Sequence, residues 1–265
     1  MKIMIRISFL GRDFYGTQRL KNDRTIQGEF ERLLSEIYCQ EVKVLISSRL
    51  DRHVNALDFA LTYTPVDERI SFYGLSKFLS AHLSPEVIIK DICYVDDNFS
   101  CRHHCKCKTY CYLIQNVKPM NPLLSSLSYM PKTLLDVDKA REAIQLFQGH
   151  HNFVRFATPE GDEDTNLTID KVSFTEKEGM LYLRFQGKNF LRYQVRFMVG
   201  SVIRCAQGKM SLDQIKRLLA GLDPDFPRYK AEPQGLYLES ISYPDDIDAG
   251  KESSFPGVSF DNFTI

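Results

Sequence analysis

Ile3, Ile5, Ile7 and Phe9 put an apolar residue at every second position, and the next apolar series, Ile26, Phe30, Leu33, Leu34 and Ile37, falls at helical spacing. A chain that changes period in this way must build strands with one buried face and helices with one buried stripe. Thr25 is a suitable N-cap, so a helix is expected over Ile26 to Tyr38. A strand from Val42 to Ser47, a strand alternating through Leu57, Phe59, Leu61 and Tyr63, a helix from Ser71 to Leu83, and strands Val87 to Val95 and Lys106 to Asn116 follow. The stretch 117–135, with Pro119, Pro122 and Pro131, has no periodicity and reads as a connector. Beyond it come a helix from Asp138 to Phe147, strands Lys171 to Thr175 and Met180 to Gln186 across a Glu-Gly turn, a longest helix from Asn189 to Ala206, a short helix from Leu212 to Ala220 and a closing strand Leu236 to Tyr243. The expected fold class is α+β, helices packed on a mainly antiparallel sheet in two similar halves, 1–116 and 136–245, with a tail over 246–265.

Composition narrows the function. A chain of 265 residues, 43% hydrophobic and 26% charged, can fill one large core or two modest ones. It has no run of about 18 apolar residues, and Met1 to Arg6 already alternates like a strand rather than a secretory leader, so a cytoplasmic protein away from membranes is expected. Seven cysteines, an odd number, fit reduced thiols better than a disulfide framework. With a formal net charge of zero, any nucleic-acid surface must be concentrated in one place, which excludes a broadly basic binder of DNA or RNA. Gly11 to Gly16 lacks the third glycine of a dinucleotide loop, and no P-loop, serine elbow or zincin helix is present.

Three places could carry chemistry. Asp51 follows the apolar run Val42 to Ile46 and stands two residues after Arg49, where a reactive carboxylate can be kept ionised. Cys101, Cys105, Cys107 and Cys111 invite a zinc reading, but on one continuous strand they would span about 30 Å and could not converge on an ion, so no metal site is expected. Arg102, His104, Lys106, Lys108, Tyr110 and Tyr112 alternate on the other face of that strand, where cations could meet phosphates and a ring could stack on a base. On the long helix, Lys188, Arg192 and Arg196 recur every four residues as a cationic stripe.

Taken in order, Phe14-Tyr15-Gly16 with Gln18, Arg24 to Glu31, Arg49-Leu50-Asp51 with Val54 and Ala56, Phe99 to Arg102, Lys108 to Tyr112, Asn189-Phe190-Leu191, Val195-Arg196, Val199-Gly200-Ser201 and Gly235 to Leu238 resemble the TruA family of tRNA pseudouridine synthases. The resemblance implies the pseudouridine synthase fold, an enzyme without metal or cofactor, and a homodimer acting on tRNA, at uridines 38 to 40 of the anticodon arm. It implies Asp51 as the catalytic nucleophile, Tyr110 as the ring stacked on the target uracil, and Arg196 as the ion-pair partner of Asp51. Arg49, Arg102 and Leu236 would complete the substrate-binding set. The alternatives are the same chemistry on another RNA such as rRNA, or a non-catalytic RNA-binding protein of the same fold. Thr17 stands where the family has Trp, and Leu50, Arg52, His53 and Asn55 replace the Thr, Ala, Gly and His of its Arg-Thr-Asp-Ala-Gly-Val-His-Ala signature.

Overall fold

The computed structural model describes residues 1–244 and 247, so the expected tail over 246–265 lies, apart from Ile247, outside the described residues. The chain forms two compact units, residues 1–106 with 238 onward, and residues 107–237. These limits differ from the halves expected at 1–116 and 136–245. Membership follows which strands pair rather than where the irregular connector lies, so the strand after Lys106 joins the second unit and most of the last strand joins the first.

In the first unit, β1 (Lys2–Phe9) runs antiparallel to β3 (Asn55–Tyr63) and to β4 (Val87–Val95), and β10 (Leu236–Ser242) lies beside β3. The short β2 (Val44–Ile46) pairs antiparallel with β3 and is cut back at both ends from the Val42 to Ser47 expected. Helix α1 (Ile26–Tyr38) starts where Thr25 Oγ1 accepts a hydrogen bond from Gly28 N at 3.2 Å, and it buries Ile26, Phe30, Leu33 and Leu34. Helix α2 (Phe72–Leu83), capped by Ser71, packs on β4 through Leu75, Leu79 and Leu83. One buried carboxylate ties the sheet laterally. Asp58 on β3 accepts hydrogen bonds from the guanidinium of Arg6 on β1 and from Ile241 N of β10 at 3.1 Å, and Lys90 on β4 lies 3.6 Å away. Burial opposes its ionisation, but Arg6 and Lys90 outweigh that and hold its pKa below the ordinary value.

In the second unit, β5 (Cys107–Gln115), β9 (Met180–Gly187) and β8 (Lys171–Lys177) form an antiparallel sheet with β9 in the middle. A separate two-stranded ribbon, β6 (Gly149–Asn152) with β7 (Asn166–Ile169), went unmarked in the sequence because neither strand alternates cleanly. Helix α3 (Val137–Gln145) is capped by Asp136 and packs on α4 (Gln194–Ala206) and β8, while α5 (Leu212–Leu219) opens with a capping box of Ser211 and Gln214. The connector 117–135 holds only a short 3-10 turn at Pro122–Leu124 and an isolated bridge at Tyr129. Among the described residues no helix is long and apolar enough to cross a membrane.

Helix α4 corrects an expectation. It begins at Gln194, not Asn189, because Tyr193 adopts the left-handed conformation at φ 63°, which a right-handed helix cannot continue. It has 13 residues, the same length as α1. Lys188 and Arg192 lie before it, so the Lys188, Arg192, Arg196 stripe does not exist as a helical face.

Candidate active site

Asp51 is half-buried in the loop that joins β2 to β3. That loop is held by its backbone. Thr17, fully buried, donates from Oγ1 to Ser48 O at 2.9 Å, accepts from Leu50 N at 2.8 Å, and donates from its own amide to Leu50 O at 3.1 Å. Three bonds therefore bracket Arg49, two residues ahead of Asp51. On the far side Val54 N closes a turn on Asp51 O at 3.1 Å, and His53 takes φ 67°. A left-handed residue is needed at 53, which explains glycine in the family signature; histidine can hold the conformation at a cost of order 1 kcal/mol.

Two glycines let a second segment press on this loop. A Cβ on Gly16, where φ is +91°, would stand 2.7 Å from Leu50 O, and one on Gly11 would stand 2.1 Å from Val54 O. Buried Asn55 accepts a hydrogen bond from Gly11 N at 2.9 Å through Oδ1, so the residue replacing the signature histidine anchors the 11–17 segment. Arg49 and Arg52 are both exposed. Sequence reasoning missed the roles of Thr17 and Asn55, since each bond links residues more than 30 positions apart.

Arg102 lies in an exposed turn of the first unit and not on a strand, because β5 starts only at Cys107. This corrects two readings. Cys101 and Cys105 do not share a strand face with Cys107 and Cys111, so the distance argument against zinc does not apply as stated; Cys101 instead lies buried, its thiol 3.5 Å from Leu45 O. Among the described residues no three His, Cys, Asp or Glu side chains are grouped to hold a metal. Nor do cations and rings alternate on an open face from 102 to 112. Lys108 and Tyr110 are largely covered, and Tyr112 is fully buried with its hydroxyl donating to Glu232 O at 2.8 Å.

The second unit gathers the remaining expected residues. Tyr110 on β5 meets Phe190 edge to face, ring centroids 4.8 Å apart and planes at 73°. Phe190 belongs to the Asn-Phe-Leu stretch of the resemblance, which was the signal available for it. Arg196, in the first turn of α4, is 8% exposed and donates from Nε to Ala231 O at 2.9 Å, while Ala231 N donates back to Arg196 O at 2.9 Å. Segment 229–231 can lie against α4 because Gly200 has no side chain: a Cβ there would stand 1.9 Å from Tyr229 O. Three cations face the Tyr193 ring, with Lys230 at 4.0 Å, Arg192 at 4.9 Å and Arg196 at 5.6 Å from its centroid. Leu236, 5% exposed, opens β10 directly after a 3-10 turn, Pro233–Gly235. The structure thus groups Arg49 with Asp51 in the first unit, and Tyr110, Arg196 and Leu236 belong to the second.

A family profile described as tRNA pseudouridine synthase matches residues 143–244. The tRNA pseudouridine synthase A of Aquifex aeolicus is 32% identical over 238 residues, which span 90% of this chain and 98% of that protein. The enzyme of the same name from a Geobacillus species is 32% identical over 249 residues, 91% of this chain and 98% of its own. Among solved structures, a Cbf5-Nop10-Gar1 complex aligns over 91% of this chain and 50% of that one at 10% identity with a TM-score of 0.35, too distant to carry an argument. Identity at this level over nearly the full length of both proteins places the chain in the TruA family of tRNA pseudouridine synthases.

Proposed function

We propose that this protein isomerises uridine to pseudouridine in tRNA, with Asp51 as the covalent nucleophile. The observation that carries the reading is the frame around Asp51: its neighbours depart from the family signature, yet Thr17, Gly11, Gly16 and Asn55 fix the loop backbone on both sides of the carboxylate. The reaction breaks the bond from ribose C1′ to uracil N1 and forms one from C1′ to C5; N1 gains a proton and C5 loses one, with no net redox change. A carboxylate can drive this by attack at C1′ or at the uracil ring, and either path leaves the base detached and free to turn. Reaching the base requires its extrusion from the RNA stack. Tyr110, braced by Phe190, supplies the ring for the extruded uracil, and Leu236 the apolar contact. Arg196 supplies the positive charge that favours an ionised nucleophile, and Arg49 and Arg102 contact the RNA backbone. The reading takes the target to lie in the anticodon arm, at uridines 38 to 40, and the enzyme to work as a cytoplasmic homodimer; what supports it is the resemblance to the TruA family.

The test is incubation of purified protein with unmodified tRNA and rRNA transcripts, followed by pseudouridine mapping, for wild type and Asp51→Asn. Wild type should modify an anticodon-arm uridine of tRNA, and the variant should lose turnover by orders of magnitude while keeping its melting temperature. Residual turnover within about tenfold of wild type, a barrier change of only about 1.4 kcal/mol, removes Asp51 from the nucleophile role. Modification confined to the rRNA transcript overturns the tRNA assignment.

A further inference from the structure

Arg52 follows the proposed nucleophile, stands where the family signature has alanine, and is exposed. Its guanidinium carbon lies 4.0 Å from the ring centroid of Tyr15, itself 44% exposed. Four other arginines of the first unit are matched to carboxylates: Arg6 to Asp58, Arg19 to Glu31 at 2.9 Å, Arg32 to Glu29 at 3.1 Å, Arg69 to Asp67 at 2.9 Å. Among the described residues Arg52 has no carboxylate within ion-pair distance. Its backbone is fixed nonetheless, since Gly16 packs against residues 50–52 and the turn at Asp51 O closes just beyond it.

A guanidinium resting on a ring loses less side-chain entropy on binding than a free one, and its edge N–H groups still point outward. That edge suits a phosphate, which takes two parallel charge-assisted hydrogen bonds. An alanine here could do none of this. We propose that Arg52, steadied by Tyr15, binds an RNA phosphodiester next to the target uridine and so selects substrates by the path of their backbone beside the reacting base. The proposal rests on the assignment of Asp51 as nucleophile, because it is adjacency to Asp51 that puts Arg52 beside the target.

The experiment uses full-length protein and an unmodified tRNA transcript with uridines in the anticodon arm, measuring kcat, KM and their salt dependence for wild type, Arg52→Ala, Arg52→Lys and Tyr15→Leu. Arg52→Ala should lower kcat/KM about tenfold, mostly through KM, as expected for one lost charge-assisted contact. The slope of log KM against log salt should fall by about 0.7 to 0.9, the value of one phosphate contact. Arg52→Lys should keep the slope while recovering only part of KM, and Tyr15→Leu should raise KM less than Arg52→Ala does. A KM and slope indistinguishable from wild type in Arg52→Ala overturn the proposal, as does a fall in kcat with KM unchanged. A wild type that forms no pseudouridine on the transcript overturns the functional reading instead.

Discussion

Thr17→Val removes one hydroxyl from a fully buried side chain and keeps its shape, so its effects can be traced to two hydrogen bonds. The bond to Ser48 O at 2.9 Å and the bond from Leu50 N at 2.8 Å disappear, while the Thr17 amide keeps its bond to Leu50 O. Each lost bond costs about 1 kcal/mol, and the stranded buried carbonyl and amide raise the total to about 2–4 kcal/mol. For a chain of this size each kcal/mol lowers the melting temperature by roughly 2–4 °C. The larger consequence falls on catalysis. The bonds flank Arg49 and fix the backbone of the loop that carries Asp51, and a displacement of about 1 Å at a nucleophile can cost about a hundredfold in rate. Single-turnover kinetics on a saturating tRNA transcript, beside a thermal melt, separates the two effects. Thr17→Val should lose kcat far more than it raises KM, and Thr17→Ser, which restores the hydroxyl, should recover most of it. A valine variant with a lowered melting temperature but wild-type kcat would falsify the claim that Thr17 positions the nucleophile and leave it a packing residue.

Tyr110→Phe should keep most activity, whereas Tyr110→Leu should lose about 1–3 kcal/mol of transition-state stabilisation with the stacking ring. Equal damage in both under single-turnover conditions assigns the hydroxyl a chemical role. Asp58→Asn should destabilise the protein by about 3–5 kcal/mol at pH 7, since it leaves Arg6 without its buried counter-charge. Because the folded-state pKa of Asp58 is depressed, its contribution is present above the unfolded value of about 3.9 and lost as pH falls through the folded one. The difference between wild-type and variant melts should therefore shrink below about pH 4, and a gap constant from neutral pH into that range contradicts the network.

Much of the fold was legible because local signals agreed with tertiary ones. Thr25 and Ser71 cap α1 and α2 where a capping residue precedes an apolar stripe, and β4 covers the nine residues whose pattern announced it. The failures share a cause. Residues 189–193 carry a helix-compatible pattern, but the conformation of Tyr193 stops α4 there, and no composition rule signals a left-handed tyrosine. Strand alternation carried back from Cys107 to Cys101 treated a turn as sheet, which put Arg102 on a face it does not share with Tyr110. Asp51 was singled out by its place after an apolar run and by motif resemblance, and Arg196 by resemblance, whereas the bonds of Thr17 and Asn55 link segments that only the folded chain brings together.

The same distinction bears on how the loop around Asp51 can differ in sequence from the family signature and keep a fixed backbone. Five of the bonds that frame it end on backbone: Ser48 O, Leu50 N, Leu50 O, Asp51 O and Gly11 N. Such bonds are indifferent to the side chains at 48, 50 and 52. The hydroxyl of Ser48 is buried with no hydrogen-bond partner, so it is the carbonyl of that residue that Thr17 holds. Leu50 is 7% exposed and packs inward, whereas Arg52 projects outward. Only position 53 constrains the conformation itself, and His53 still adopts the left-handed value. Of the residues that replace the signature at 50, 52, 53 and 55, Arg52 alone is exposed, so the departures change the surface beside Asp51 at that position while the backbone bonds that hold the loop are left as they are.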